Sequence, residues 1–206
     1  MRGRVMNSTT SVQLYSDNTV GASPEVIDAI VRASAQDSMP YGNDTLTSIT
    51  TRRFCELFET EVSVFPVGTG TAANAVALAA LCPPYGAIYT HPQAHIQTTE
   101  CNAPEFYTGG AKLIGVPSPT TKISQPVFAE MLKSTLPARV HEAQPSALSI
   151  TQATEGGAVY TIDEAAALAE TARKNKLRVH MDGARFANAV ASLGCTPAEI
   201  TWKIGI

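Results

Sequence analysis

The sequence has no long apolar run. No stretch approaches the ~20 residues that a bilayer-crossing helix needs, so a membrane-spanning helix is not expected. Residues Met1 to Ser11 are polar and lack the apolar segment of a secretory signal. Cysteine is scarce: Cys55, Cys82, Cys101 and Cys195 are scattered and form no CxxC pair, which argues against a zinc ribbon or a redox motif. These features read as a chain of the reducing cytoplasm. Charge is sparse as well, at 16 % of residues, with 15 Lys plus Arg against 18 Asp plus Glu and a net charge of −3. With no basic cluster and a pI near 5.8, neither nucleic acid nor membrane is an expected partner.

What is present is a core. The 206 residues are 44 % hydrophobic, enough for one α/β domain or slightly more. After an N-terminal arm over residues 1–20, extended from Val12 to Val20, Ser23-Pro24-Glu25 reads as an N-cap, a first helical position and a first-turn acid. Val26, Ile30 and Ala33 stripe that helix. A loop over Ser38 to Asp44 leads to a second helix, Thr45 to Glu59, with Ile49, Leu57 and Phe58 expected in the core.

Short β-branched runs then alternate with helical ones. Strands are expected at Val62–Phe65, Ala87–Thr90, Lys112–Val116, Ala147–Thr151 and Leu177–Met181. Helices are expected at Ala72–Ala80, Gln125–Ser134, Ile162–Asn175 and Ala184–Leu193, with a helix or turn around Gln93–Cys101. This alternation predicts an α/β fold, a mostly parallel sheet with helices on both faces. Residues 21–206 read as part of one large domain. The apolar end, Ile204-Gly205-Ile206, reads as the start of a buried strand or turn, so the chain is expected to be the N-terminal part of a longer protein. Cys195, Met181 and Trp202 are expected in the core.

Ligands of open α/β sheets gather beyond the carboxyl ends of the strands, and three segments place reactive groups there. Gly68-Thr69-Gly70-Thr71-Ala72-Ala73-Asn74 joins a strand to a helix. Its glycines, hydroxyls and helix start make either a phosphate cup or a softened, threonine-capped turn. It is neither a P-loop nor a GxGxxG fingerprint. Arg178-Val179-His180-Met181-Asp182-Gly183-Ala184-Arg185 puts His180 and Asp182 on one side of a strand and Arg185 in the first turn of a helix, where a cation needs an anionic partner. Asp182 either caps that helix and pairs with Arg185, or faces a cationic ring nitrogen. In His91-Pro92-Gln93-Ala94-His95, His95 is either a ring-contacting histidine or a capping or buried one. A metal site at His91 and His95 lacks a third ligand, and none is expected.

A phosphate cup, a histidine and an aspartate–arginine pair suit an aromatic, cationic, phosphorylated ring, namely pyridoxal phosphate. Asp182 would keep its pyridine nitrogen protonated, which makes the ring an electron sink for a substrate carbanion.

Blocks in the same order along nearly the whole chain carry a family resemblance. They are Ser16-Asp17-Asn18-Thr19 with Pro24-Glu25, Tyr41-Gly42-Asn43-Asp44, Gly70-Thr71-Ala72-Ala73-Asn74, His95 with Glu100, Thr151 to Gly157, and His180-Met181-Asp182-Gly183-Ala184-Arg185-Phe186-Ala187-Asn188-Ala189. The chain resembles the low-specificity threonine aldolases of the β-eliminating lyase family, which are fold-type-I pyridoxal-phosphate enzymes. The resemblance implies the large domain of the aspartate-aminotransferase-like fold. It implies cleavage of L-threonine or L-allo-threonine to glycine and acetaldehyde, and a homodimer or dimer of dimers. By the same resemblance, Thr69, Gly70 and Thr71 hold the cofactor phosphate. His95 stacks on the ring and accepts the substrate hydroxyl proton, and Asp182 pairs with the ring nitrogen. Arg185 and Ser16 hold the substrate carboxylate, and Tyr41 lies near the cofactor.

The lysine that anchors the cofactor in this family is expected beyond Ile206, together with a small C-terminal domain. Lys174, Lys176 and Lys203 are poor substitutes, so the 206-residue chain by itself is expected to be inactive. Two alternatives are another fold-type-I enzyme, such as an aminotransferase or a different β-eliminating lyase, and a non-catalytic subunit of that fold.

Overall fold

A computed structural model describes residues 21–206. The expected extended stretch from Val12 to Val20, and Ser16 within it, lie outside the described residues. The chain divides into two compact units, Met1–Ile49 and Thr50–Ile206.

In the first unit, α1 (Pro24–Ser34) starts as its sequence dictates, with Ser23 at the N-cap, Pro24 at the first position and Glu25 in the first turn. Its apolar residues stay uncovered: Val26, Ile27, Ile30 and Val31 are all exposed. Asp44 opens α2 (Thr45–Phe58) by accepting the Thr47 N–H at 2.8 Å and the Thr47 hydroxyl at 2.6 Å. Of the expected core contacts of α2 only Phe58 is made in part: it is half-buried and its ring stacks on Phe186 with centroids 6.0 Å apart. No residue of the helix is buried, and Ile49 and Leu57 are exposed. Amphipathic spacing shows which face can be covered, but the cover must come from elsewhere.

The second unit is built on four strands, β1 (Gly86–Thr90), β2 (Lys112–Gly115), β3 (Gln144–Thr151) and β4 (Arg178–Asp182). They lie in the order β2-β1-β3-β4, and every neighbouring pair is parallel. Six helices belong with them: α3 (Gly70–Leu81), α4 (His95–Thr98), α5 (Ala103–Tyr107), α6 (Gln125–Thr135), α7 (Ile162–Lys174) and α8 (Phe186–Leu193). Alternation along β1 and β3 sorts the core into two layers. Ala87, Tyr89, Leu148 and Ile150 pack with Phe128 and Leu132 of α6 and Ala165, Leu168 and Ala172 of α7. Ile88 and Ala147 point the other way, toward Leu78 of α3, Ala94 and Ile96. The sheet is thus parallel with helices on both faces, as the alternation of the sequence implies.

Four expectations are corrected. Residues 62–65 form no strand: Val62 and Val64 are half-buried and their neighbours exposed, but this segment pairs with no strand among the described residues. The last α-helix, α8, begins at Phe186, so Arg185 occupies its N-cap position and not its first turn. Trp202 is exposed and not in the core; its indole N–H donates to the Phe58 carbonyl at 2.6 Å, and that polar tether holds the ring at the surface. Cys195 and Met181 are only partly buried, packed against the α6/α7 layer.

Candidate active site

The carboxyl ends of β1, β3 and β4 lie on one edge of the sheet, because the strands are parallel. Asp182 is the last residue of β4 and is 8 % exposed. One of its oxygens, Oδ1, accepts the Ala184 N–H at 3.0 Å. The other, Oδ2, accepts the Asn74 amide N–H at 3.0 Å. That second bond brings the start of α3 to the end of β4 across 108 residues of sequence.

Asn74 also donates to Glu100 Oε1 at 2.8 Å. The same oxygen accepts His95 Nδ1 at 2.8 Å. A carboxylate oxygen only accepts, so Nδ1 carries the proton, and neutral His95 has its lone pair on Nε2. The Glu100 side chain is fully buried, whereas that of His95 is 45 % exposed. A continuous hydrogen-bonded chain, His95–Glu100–Asn74–Asp182, therefore links α4, α3 and β4.

The turn into α3 presents several hydrogen-bond donors. Thr69 caps the helix by accepting the Ala72 N–H at 3.1 Å, which leaves its hydroxyl hydrogen free to donate. The N–H groups of Gly70 and Thr71 precede the first intrahelical bond and carry the positive end of a 12-residue helix. A Cβ on Gly68 or Gly70 would meet nothing within 4 Å. Their bareness therefore does not answer to packing, and it leaves backbone open to approach.

Arg185 does not pair with Asp182. Its Nε donates to the Ala153 carbonyl at 3.0 Å, and its Nη2 lies 3.7 Å from Glu155 Oε1. That glutamate oxygen also accepts the backbone N–H of His95 at 2.9 Å. The reading in which Asp182 caps the following helix and pairs with Arg185 is therefore not met: the N-cap is Arg185, with no side-chain cap bond, and the Asp182–Ala184 bond stabilises the turn ahead of the helix.

His180 and Asp182 share one face of β4, as the period of two predicts, and both are buried. His180 Nδ1 and the Ser149 hydroxyl share a hydrogen bond of 2.9 Å. Burial pushes the imidazole down to about 4, against the smaller opposing pull of the Asp182 charge. His91 is occupied structurally. Its Nε2 donates to the Thr120 carbonyl at 2.8 Å, and its Nδ1 accepts the Gln93 N–H at 3.1 Å, so neither nitrogen has a lone pair left for a metal.

Among the predicted residues, the structure brings Thr69, Gly70, Thr71, His95, Asp182 and Arg185 to one edge. Tyr41 belongs to the first unit, where it is exposed at a φ of 63°. Ser16 lies outside the described residues. Asn74, Glu100 and Glu155 fall within the blocks that carry the resemblance, and the His95–Glu100 bond is local, but the bonds of Asn74 to Glu100 and Asp182 and of Glu155 to His95 span 26, 108 and 60 residues and had no signal in local spacing. A cleft of 570 Å³ between Lys122, Tyr160, Glu164 and Leu168 contains none of these residues.

Comparison with known proteins agrees with this geometry. Low specificity L-threonine aldolases from a Pseudomonas species and from Pseudomonas aeruginosa are 43 % and 41 % identical over 196 and 194 residues. The matches cover 95 % and 94 % of this chain but only 56 % of each relative, so the chain spans about half the length of the curated relatives it matches. The structure of a Leishmania major threonine aldolase superposes with a TM-score of 0.81 at 28 % identity, covering 88 % of this chain and 53 % of that one. The architecture is that of the fold-type-I enzymes. Residues 13–204 match the description of the beta-eliminating lyases, and the chain belongs to that family.

Proposed function

We propose that this chain supplies the cofactor-binding part of a pyridoxal-phosphate-dependent aldehyde-lyase that cleaves L-threonine or L-allo-threonine to glycine and acetaldehyde. The observation that carries the reading is the bonded chain from His95 through Glu100 and Asn74 to Asp182. It joins a buried carboxylate, and a histidine whose Nε2 has no hydrogen-bond partner among the described residues, to a helix start whose leading N–H groups suit an anion. The donor set fits pyridoxal phosphate: hydroxyls and N–H groups of Thr69, Gly70 and Thr71 for the phosphate, and the Asp182 carboxylate for the ring nitrogen. When bound, the cofactor supplies a cationic ring that takes up the electrons released at the substrate Cα.

The protein's own residues do the rest. Asp182, fixed through both oxygens, holds a proton on the ring nitrogen. His95 Nε2 accepts the β-hydroxyl proton as the Cα–Cβ bond breaks, and Glu100 fixes the tautomer that makes this possible. Arg185, steadied by Ala153 and Glu155, offers its remaining N–H groups to the substrate carboxylate. Orientation of the scissile bond is the main contribution such a site makes to the rate.

The test joins residues 1–206 to the remaining part of the Pseudomonas relative. With pyridoxal phosphate, the chimera should release glycine and acetaldehyde from threonine. His95→Asn and Asp182→Asn should each lower kcat/KM at least ~100-fold. Arg185→Gln should raise KM and leave the cofactor absorbance in place. Pyruvate from cysteine or alanine as the main product would instead assign a different member of the fold. No product from any amino acid would favour a non-catalytic subunit.

A further inference from the structure

Asn74 is 5 % exposed and stands between two carboxylates that come from other elements. Its Nδ2 group has two hydrogens. One goes to Glu100 Oε1 at 2.8 Å and the other to Asp182 Oδ2 at 3.0 Å. Both acids are almost completely buried, and like charges in such surroundings repel strongly. Glu100 depends on this amide more than Asp182 does. Among the described residues its Oε2 has no hydrogen-bond partner, so Asn74 and His95 are its only donors. Asp182 keeps the Ala184 N–H in any case.

We propose that Asn74 is a positioning residue for the site proposed above: one amide group holds the Asp182 and Glu100 carboxylates in place and mechanically joins the ring-nitrogen partner to the base. Whatever shifts Glu100 shifts both His95 and, through Asn74, Asp182. Only an amide does this. Aspartate has the same shape but adds a third carboxylate, and leucine has similar bulk but no donor. The charged and titratable groups around this amide are Glu100, Asp182, His95 and His180, with Glu155 and Arg185 beyond His95.

The experiment compares the 206-residue chain with Asn74→Asp and Asn74→Leu, first without cofactor. In Asn74→Asp the new carboxyl folds among two acids, so its folded pKa is raised above the unfolded value of ~3.9. By linkage, stability is retained below pH ~4 and lost as pH rises. The Tm deficit relative to wild type should therefore widen from pH 4 to 8. A deficit that stays constant over that range would mean the residue matters only for its shape, and would overturn the proposal.

In Asn74→Leu, Glu100 Oε1 keeps a single donor. The His95 Nδ1–H resonance should move downfield as that remaining bond strengthens; an unmoved resonance would also count against the proposal. With pyridoxal phosphate added, both variants should bind at least ~10-fold more weakly than wild type. Equal affinity in all three chains would show that Asn74 does not hold Asp182 for the ring. If the wild-type chain fails to bind pyridoxal phosphate saturably, the functional reading fails, and the two cofactor-free measurements still decide the role of Asn74.

Discussion

His180 shows how one residue can be fixed by its place in the sheet. It pairs in register with Ser149 of β3 and shares that residue's hydroxyl, two positions from the carboxylate of Asp182 in the same strand. Burial lowers it from 6.5 to about 4. Between those two values the unfolded chain binds a proton that the folded chain does not. Stability therefore falls as pH drops through this window, by up to about 3 kcal/mol. His180→Asn keeps a partner for Ser149 and removes the titration. Urea unfolding at a series of pH values should show a flatter profile for the variant between pH 6.5 and 4. Parallel profiles would mean that other groups carry the acid sensitivity of this chain. The period of two that placed His180 beside Asp182 was legible in the sequence. The contacts of Asn74 were not, because a side-chain amide that reaches 26 residues one way and 108 the other leaves no local pattern.

At the scale of elements, legibility follows the range of the cause. Ser23-Pro24-Glu25 marked the start of α1, and Thr161 and Glu164 start α7 with reciprocal bonds. The Glu164 N–H donates to Thr161 Oγ1 at 3.2 Å, and the Thr161 N–H donates to Glu164 Oε2 at 2.8 Å. Lys122 then binds the same carboxylate at 2.6 Å and holds it below the ordinary glutamate range. Thr161→Ala removes one arm of this box and should cost about 1 kcal/mol in urea unfolding. A loss near zero would mean that α7 is held by its buried face alone, Ala165, Leu168, Ala169 and Ala172. Residues 62–65 mark the opposite case. Their alternation of half-buried valines with exposed neighbours is that of a strand, but a strand also needs a neighbour to bond with, and spacing cannot supply one. Leu57 failed for the same reason, since its burial depends on a surface that no nearby residue provides. Gly86 is more constrained than the sequence suggests. A Cβ there would collide with Cys82 and with the Ser146 hydroxyl, so Gly86→Ala should destabilise by about 1–3 kcal/mol through overpacking.

At the scale of the whole molecule, the arrangement of lysines bears on what the chain does with its cofactor. Asp182 marks the carboxyl edge of the sheet, where the proposed ring lies. Lys112 begins β2 and Lys176 precedes β4, so both belong to the opposite edge, roughly 13 Å away for a five-residue strand at ~3.3 Å per residue. Lys133 and Lys174 pair with glutamates of their own helices, and Lys122 is bound to Glu164 at the start of α7. Lys203 lies in a short 3-10 turn, Trp202–Ile204, after α8; its Nζ donates to Glu59 Oε2 at 2.7 Å, a bond that draws the glutamate below its usual range. An amine attacks a carbonyl only through a free lone pair aimed at it, and none of these six is so placed. Adding pyridoxal phosphate to the 206-residue chain, reducing with borohydride and mapping the peptides should therefore show scattered, substoichiometric labelling. Reversible binding that Asp182→Asn abolishes should accompany it. One stoichiometric adduct at Lys203 would mean that this residue leaves Glu59 and reaches the ring, and the site would then be complete within these 206 residues. Scattered labelling together with Asp182-dependent binding assigns recognition of the cofactor to this chain and its covalent anchorage to a lysine outside it.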